Sequence, residues 1–160
     1  MPTVVSPSPP LRFPGDPAEI FSLAYASRPS RVLQGPEMQS LERQSAINNK
    51  VLKITGLLIW DDEWIVQILE GEEEEVRRLL EKIEADDRHR DLRVFAENFT
   101  PARRLGEWNM VFRTVRYQAP KMRDSYRGLV ESLADTPLKL ELSDDRVASF
   151  RRMADLCEAL

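Results

Sequence analysis

The sequence contains few of the residues that metal sites and disulfides require. Its 160 residues include one cysteine, Cys157, and one histidine, His89. A single cysteine excludes an internal disulfide and a cysteine-based metal cage, and a single histidine excludes a histidine-rich metal site. We therefore expect no bound metal.

Long apolar runs and a surplus of basic charge are also missing. No apolar run reaches the roughly 18 residues that a membrane span needs, and the N-terminus lacks the charged start and apolar segment of a signal peptide. The formal net charge is −4, and the basic residues are scattered among acidic ones, which gives no surface for nucleic acid. We therefore expect a cytoplasmic protein that contacts neither membrane nor nucleic acid.

The composition that remains, 42% hydrophobic and 31% charged, is typical of one soluble domain with a core. Residues 1–18 are rich in proline, which interrupts helices and strand ladders, so we expect a flexible N-terminal arm there. Alternating apolar patterns then predict strands at 19–27, 53–60, 63–71, 91–99 and 108–115. Asp61 and Asp62 separate two of these strands and predict a tight hairpin.

Helical periodicity predicts helices at 36–51 and 72–85, and two more amphipathic helices after residue 114, the second with Ser143 as its N-cap. The order is β-α-β-β-α-β-β, which predicts an α+β fold, a ferredoxin-like sandwich with one extra strand and two additional C-terminal helices. The two internal helices cover one face of the sheet. We expect the C-terminal pair to cover the other face, either folded back or contributed to a dimer.

The strand WIVQILEG, residues 64–71, contains one residue that does not match its surroundings. Side chains alternate between the faces of a strand, and both faces of this one are apolar except at Gln67. A buried amide without partners costs about 1–3 kcal/mol, so Gln67 needs hydrogen-bond partners.

The first helix has a matching polar interruption. Residues Met38, Leu41, Ser45, Asn48 and Leu52 recur at helical spacing on one face, and Asn49 lies beside them. One interpretation is an internal hydrogen-bond network or a buried water. The other is a pocket, between helix and sheet, for a flat ligand with polar edges.

Several short motifs in order give the sequence a family resemblance. The motifs are Tyr25-x-Ser27, Ser45-x-x-Asn48-Asn49, Ile54-Thr55-Gly56-Leu57-Leu58, Gln67-x-Leu69-Glu70-Gly71, Asp86-x-Arg88-His89 and Trp108-x-Met110. With these motifs the sequence resembles a BLUF domain, a blue-light sensor that uses FAD, over about residues 19–113.

The resemblance implies a role for each matching residue. Tyr25 matches the electron donor to the excited flavin, and Gln67 matches the glutamine between that tyrosine and the flavin, so that electron and proton transfer switch the hydrogen bonds reversibly. Asn48, Asn49 and Ser45 match ring-contacting positions, and Leu41 and Ile83 would enclose the ring. Lys82, Arg88 and His89 lie near the positions that meet the ribityl chain and phosphate, and Trp108 and Met110 match the signal relay on the last strand.

The sequence also departs from the family pattern. Ile47 stands where arginine is frequent, Lys53 replaces a common glycine, and Lys82 replaces a frequent arginine and lacks its planar fork. These departures leave FMN and riboflavin as alternatives to FAD.

The resemblance implies a short photoreceptor that is not an enzyme, with residues 114–160 as output helices. Its partners would be a flavin, further copies of itself in a dimer or larger oligomer, and an unidentified downstream protein that contacts these helices. Two alternatives belong to other classes. A small flavin reductase would consume NAD(P)H in the dark, and a flavin-free ferredoxin-like interaction module would be colourless.

Overall fold

A five-stranded sheet forms the centre of the fold in the computed structural model, which describes residues 11–106, 108–137 and 139–157. Four helices pack on its two faces. The strands are β1 (Ile20–Pro29), β2 (Thr55–Trp60), β3 (Ile65–Gly71), β4 (His89–Thr100) and β5 (Val111–Thr114). The helices are α1 (Gly35–Leu52), α2 (Glu73–Glu84), α3 (Pro120–Ala134) and α4 (Asp144–Leu156).

The strand order in the sheet is β4-β1-β3-β2-β5. The first four strands pair antiparallel, and β5 is added parallel to β2. This arrangement confirms the predicted ferredoxin-like sandwich with an extra strand. None of the helices in the described ranges has the length and apolar character needed to cross a membrane.

The predicted elements exist, and their bounds shift by a few residues. The hairpin turn is longer than expected because β2 ends at Trp60 and β3 begins at Ile65. The buried Asp61 organises this turn: its Oδ1 accepts hydrogen bonds from the backbone N–H groups of Glu63 at 2.8 Å and Trp64 at 2.7 Å. Its Oδ2 pairs with Arg127 of α3 at 2.8 Å, which ties the turn to the C-terminal part of the chain.

The alternation along β3 separates two cores. Val66 and Ile68 belong to a cluster with α3 and α4. Ile65 and Leu69 belong to the opposite cluster, with residues of α1 and α2. Gln67 lies on the α1–α2 side, as the period of two predicts, and so faces the interior rather than solvent.

The C-terminal helices cover the second face of the sheet within the same chain. Tyr126 of α3 and Phe150 of α4 are fully or almost fully buried there. The Tyr126 hydroxyl lies 2.7 Å from the carbonyl oxygen of Ile59 and 2.9 Å from that of Trp64. Ser143 is the N-cap of α4, as predicted, and its hydroxyl accepts a hydrogen bond from the backbone N–H of Arg146.

The prediction of a flexible arm is wrong for residues 11–18, and residues 1–10 lie outside the described part of the chain. Leu11 forms an antiparallel bridge with Arg103. Asp16 forms an ion pair with the same arginine at 2.6 Å. Proline prevents regular secondary structure in this segment, but it does not prevent docking through side chains and single backbone hydrogen bonds.

We expect Phe150→Ala to lower the free energy of unfolding by about 3–5 kcal/mol, because it leaves a cavity between α4 and the sheet. Urea denaturation followed by circular dichroism measures this loss. The matched control is Leu156→Ala in the same helix, where the side chain is 70% exposed and the expected change is within about 0.5 kcal/mol. Equal effects of the two variants would show that α4 does not cover the sheet.

Candidate functional site

A pocket lies between α1, α2 and the face of the sheet that carries Gln67. We call it the inner pocket; its cavity volume is about 70 Å³. Apolar side chains form most of its wall, and a few amide, hydroxyl and imidazole groups point into it, which is typical of ligand sites. It is lined by Tyr25, Leu41, Ser45, Asn49, Leu58, Gln67, Leu79, Ile83, Asp86, His89, Met110 and Phe112.

Tyr25 and Gln67 are directly opposite each other on β1 and β3. Both side chains are buried, with 0% and 4% of their surface exposed. The Tyr25 hydroxyl donates a hydrogen bond to Gln67 Oε1, and Gln67 Nε2 donates to the Met110 sulfur at 3.4 Å. Gln67 therefore finds the partners that its burial requires, one of them a weak sulfur acceptor.

Burial also sets the ionisation of Tyr25. Desolvation, with a smaller contribution from the Asp86 carboxylate, raises the pKa of Tyr25 well above its usual value. The phenol is therefore protonated at neutral pH, and its O–H remains a donor to Gln67.

Gly56 makes room for Met110. A Cβ atom added at Gly56 would lie 2.7 Å from the Met110 terminal methyl and 3.2 Å from its sulfur. The backbone N–H of Gly56 also donates to the carbonyl oxygen of Trp108 at 2.7 Å. The absence of a side chain at Gly56 thus allows Met110 to approach Gln67 across β2.

The two asparagines of α1 take different positions. Asn49 is 1% exposed, lines the inner pocket and donates from Nδ2 to the carbonyl oxygen of Asn109 at 3.0 Å. Asn48 is exposed and accepts a hydrogen bond from Gln44 at 3.1 Å. Asn49 therefore points into the interior, whereas Asn48 lies at the exposed rim of the helix.

A second cavity, the outer cleft, adjoins the inner pocket and has a volume of about 390 Å³. The two share Ser45, Asn49 and Leu79. Asn48 and Lys82 line only the outer cleft, so Lys82 brings its positive charge to the open end of the site.

His89 and Arg88 separate at the start of β4. His89 lines the inner pocket, where its Nδ1 lies 2.8 Å from the Ser27 hydroxyl. Burial lowers the pKa of His89, and the nearby Asp86 carboxylate opposes that shift. Arg88 instead folds onto Asp86, with an ion-pair distance of 2.5 Å.

Trp108 and Met110 lie on different sides of the structure. Both precede β5, so their placement on the last strand is wrong. Met110 faces the inner pocket, whereas Trp108 packs against the core formed with α3 and α4, with the Arg151 guanidinium 5.1 Å from its ring. Of the two residues, Met110 is therefore the one that faces the inner pocket.

The residues present fit a flavin. Leu41 of α1 and Ile83 of α2 both line the inner pocket and offer apolar surface to a flat ring. The amides of Asn49 and Gln67 supply both donors and acceptors, as the mixed pattern of the flavin pyrimidine edge requires. Ser45 adds a hydroxyl to the pocket lining.

Comparison with known families decides between an internal hydrogen-bond network and a ligand pocket. The family model described as "BLUF: Sensors of blue-light using FAD" matches residues 20–111. The chain belongs to the BLUF family. This confirms the predicted blue-light sensor and its FAD cofactor. The BLUF match includes Tyr25, Gln67 and Met110 and both helices that enclose the inner pocket.

Solved structures show the same BLUF fold. The chain is similar to BlrB, a BLUF protein in its dark state, at 30% identity and a TM-score of 0.60, over 85% of this chain and 95% of that chain. It is also similar to a bacterial light-regulated adenylyl cyclase at 30% identity and a TM-score of 0.64, over 71% of this chain and 33% of that chain.

A relative with a longer chain is the photoactivated adenylate cyclase subunit beta of Euglena gracilis. It is 30% identical over 73 residues, which are 46% of this chain and 8% of the relative. The BLUF chain thus spans under a tenth of that relative's length.

Several pocket residues are missing from the sequence prediction. Leu58, Leu79 and Phe112 line the inner pocket but look like ordinary core residues in the sequence. Leu58 lies within the BLUF motif that contains Gly56, which is the one signal that could have found it. In residues 11–106, 108–137 and 139–157, no group of three or more histidine, cysteine or acidic side chains is arranged to hold a metal ion.

We expect Asn49→Ala to weaken FAD binding roughly tenfold, because Asn49 is the buried amide between the two cavities. Asn48→Ala, at the exposed rim, serves as the matched variant, and we expect less than about a threefold change. Titration of the FAD-free protein, followed by quenching of flavin fluorescence, measures both affinities. The reverse order of effects would contradict the placement of Asn49.

Stability should fall as the pH is lowered through the titration of His89. Its pKa is lower in the folded state than the 6.5 of the free side chain, so the unfolded state binds more protons and the free energy of unfolding rises with pH. The contribution is complete above about pH 6.5 and is lost towards the lower folded pKa. Urea titrations at pH 7.5 and 5.5 measure the free energy of unfolding at each pH, and its difference between the two should be smaller for His89→Gln than for the wild type. An equal difference in the two proteins would contradict the assignment of this pH dependence to His89.

Proposed function

We propose that this BLUF domain senses blue light through Tyr25 and Gln67 and passes the signal on through Met110. The observation that carries the proposal is the buried chain of hydrogen bonds from the Tyr25 hydroxyl to Gln67 Oε1 and from Gln67 Nε2 to the Met110 sulfur. This chain lies in the wall of the inner pocket, where the cofactor ring would be held.

When bound, FAD supplies a ring that absorbs blue light and becomes a strong oxidant on excitation. Asn49, Gln67 and Ser45 would hold its polar edge, while Leu41 and Ile83 would pack on its faces. Asn48 and Lys82 would meet the ribityl and phosphate groups in the outer cleft. The apolar walls also exclude water from Tyr25, which leaves Gln67 as its hydrogen-bond acceptor.

Tyr25 is the electron donor in this proposal. Its phenol is protonated in the dark, and burial raises its pKa still further above neutral. Loss of an electron makes the hydroxyl proton strongly acidic, and Gln67 Oε1 already accepts the hydrogen bond along which that proton would move. Return of the electron and proton restores the phenol but leaves the amide of Gln67 changed.

The change in Gln67 is a rotation of its amide, a tautomerisation, or both. Either one alters what Gln67 presents to Met110, since a rotated amide points an oxygen at the sulfur and a tautomer replaces NH₂ by NH. A rotation removes the present N–H to sulfur contact of 3.4 Å, and a tautomer leaves a single N–H that can make it. Met110 can then leave its place beside Gly56 and move the loop that contains Trp108.

We propose that the output is a changed contact with another protein or with a second copy of this chain, rather than an enzymatic reaction. Trp108 links the loop to α4 through Arg151. Between α3 and α4 lies an exposed, mostly apolar groove of about 510 Å³ that includes Met122, Met153 and Leu156. The similarity to adenylate cyclases supports only the sensor, because it covers 8% of the Euglena subunit.

We expect Gln67→Leu and Tyr25→Phe each to bind FAD but to show no red-shifted absorption after blue light. Gln67→Leu removes the amide that switches, and Tyr25→Phe removes the hydroxyl that gives up the proton. Absorption difference spectra of the FAD-loaded proteins, recorded before and after illumination, measure the effect.

The matched control is Tyr117→Phe, because Tyr117 is an exposed tyrosine outside the pocket. It should behave as the wild type. A normal red shift in either Gln67→Leu or Tyr25→Phe would contradict the proposed switch.

A further inference from the structure

The guanidinium group of Arg103 is fully bonded inside the protein. Its Nε and Nη2 donate to the two carboxylate oxygens of Asp16 at 3.0 and 2.6 Å. Nη2 also donates to the carbonyl oxygen of Lys53 at 2.7 Å, and Nη1 donates to Thr55 Oγ1 at 3.1 Å and to the carbonyl oxygen of Glu70 at 3.3 Å. These acceptors match all five N–H donors of the side chain.

Asp16 supplies the charge that balances this buried cation. The side chains of Arg103 and Asp16 are 0% and 1% exposed. Within the described part of the chain, Asp16 is the only carboxylate that contacts this guanidinium. Burial raises the pKa of Asp16, but its hydrogen bonds with Arg103 and with the backbone of Phe13 outweigh that effect and lower it, so Asp16 is ionised at neutral pH.

Residues 11–18, which we call the N-terminal strap, enclose Arg103 from outside. The Phe13 ring lies 4.3 Å from the guanidinium carbon. The Phe13 N–H donates to Asp16 Oδ2 at 2.7 Å, which closes a turn at Gly15, where φ is +83°. Lys53 Nζ donates to the carbonyl oxygen of Pro14 at 2.7 Å and so joins the strap to the end of α1.

Arg103 belongs to the loop between β4 and β5, and the Glu70 side chain holds the loop residues that follow it. Thr55 Oγ1 donates to Glu70 Oε1 at 2.7 Å. The Glu70 side chain also accepts hydrogen bonds from the backbone N–H groups of Arg104 and Leu105, each at 2.9 Å. This network holds the beginning of the loop against the ends of β2 and β3.

The same loop ends at the switch. In this part of the loop the carbonyl oxygen of Trp108 accepts a hydrogen bond from the backbone N–H of Gly56, the residue after Thr55. The Met110 sulfur accepts a hydrogen bond from the Gln67 amide. The position of Met110 is therefore set between the Arg103 network at one end of the loop and the Gln67 amide at the other.

We propose that Asp16 is a positioning residue of the light sensor, which holds Arg103 and thereby the loop that brings Met110 to Gln67. The N-terminal strap is then part of the sensor, and its docking controls how readily the loop returns to the dark arrangement. This inference rests on the proposed Tyr25–Gln67 switch. A loop released from the strap has more positions to search before the Met110 sulfur meets the Gln67 amide again, so the dark state should recover more slowly.

The test compares Asp16→Asn with Asp16→Glu and Asp144→Asn in the FAD-loaded full chain. Asp16→Asn keeps the shape of the side chain and removes its charge, and Asp16→Glu restores the charge. Asp144 pairs with the neighbouring Arg104 at 3.1 Å but is 89% exposed, so Asp144→Asn removes an equivalent surface pair. The first readout is the rate at which the red-shifted absorption decays in the dark.

The second readout needs no flavin and no light. Amide hydrogen exchange at Arg104 and Leu105 reports the loop directly, because both N–H groups bond to Glu70. Thr55→Val gives an independent variant, since it breaks the link from Arg103 through the Thr55 hydroxyl to the Glu70 carboxylate and leaves the Asp16 ion pair in place.

We expect Asp16→Asn to slow dark recovery at least threefold and to speed exchange at both amides at least tenfold. Thr55→Val should act in the same direction, while Asp16→Glu and Asp144→Asn should stay within twofold of the wild type. The proposal would be overturned if Asp16→Asn and Thr55→Val recovered at the wild-type rate. It would also be overturned if Asp144→Asn slowed dark recovery as much as Asp16→Asn does. If the wild type itself shows no red shift, the proposed function fails instead, which the exchange measurement distinguishes.

Discussion

A buried hydrogen bond between two polar side chains is the constraint on which the rest of the structure depends. Tyr25 and Gln67 lie opposite each other on neighbouring strands, inside a mostly apolar face. An unpaired amide there would be costly, so each side chain requires the other. Gly56 leaves space for Met110 beside Gln67, and α1 and α2 close the inner pocket over Tyr25, Gln67 and Met110.

The sequence shows this constraint because a strand alternates with a period of two. That period places Gln67 on a buried face without reference to any relative, and the motifs around it identify the BLUF family. The order of strands and helices follows from the same patterns. The C-terminal helices also follow, because a sheet with two apolar faces requires a second cover, and Tyr126 and Phe150 provide it.

What the sequence leaves open depends on small rotations and on distant contacts. One step along a helix turns a side chain by about 100°, so periodicity cannot decide whether Asn48 or its neighbour Asn49 faces inward. The Asp16–Arg103 ion pair joins residues 87 positions apart. Proline-rich composition predicts a loose segment there, whereas one buried salt bridge and a backbone bridge fold it onto the domain.

The most direct test of the central claim is the absorption spectrum of the purified wild-type protein with FAD, recorded in the dark, after blue light and through dark recovery. The account predicts a flavin spectrum that shifts slightly to the red on illumination and returns fully in the dark, since Gln67 changes its hydrogen bonds while the cofactor ends oxidised. A protein that fails to take up FAD, or that holds FAD with an unchanged spectrum after illumination, would contradict it.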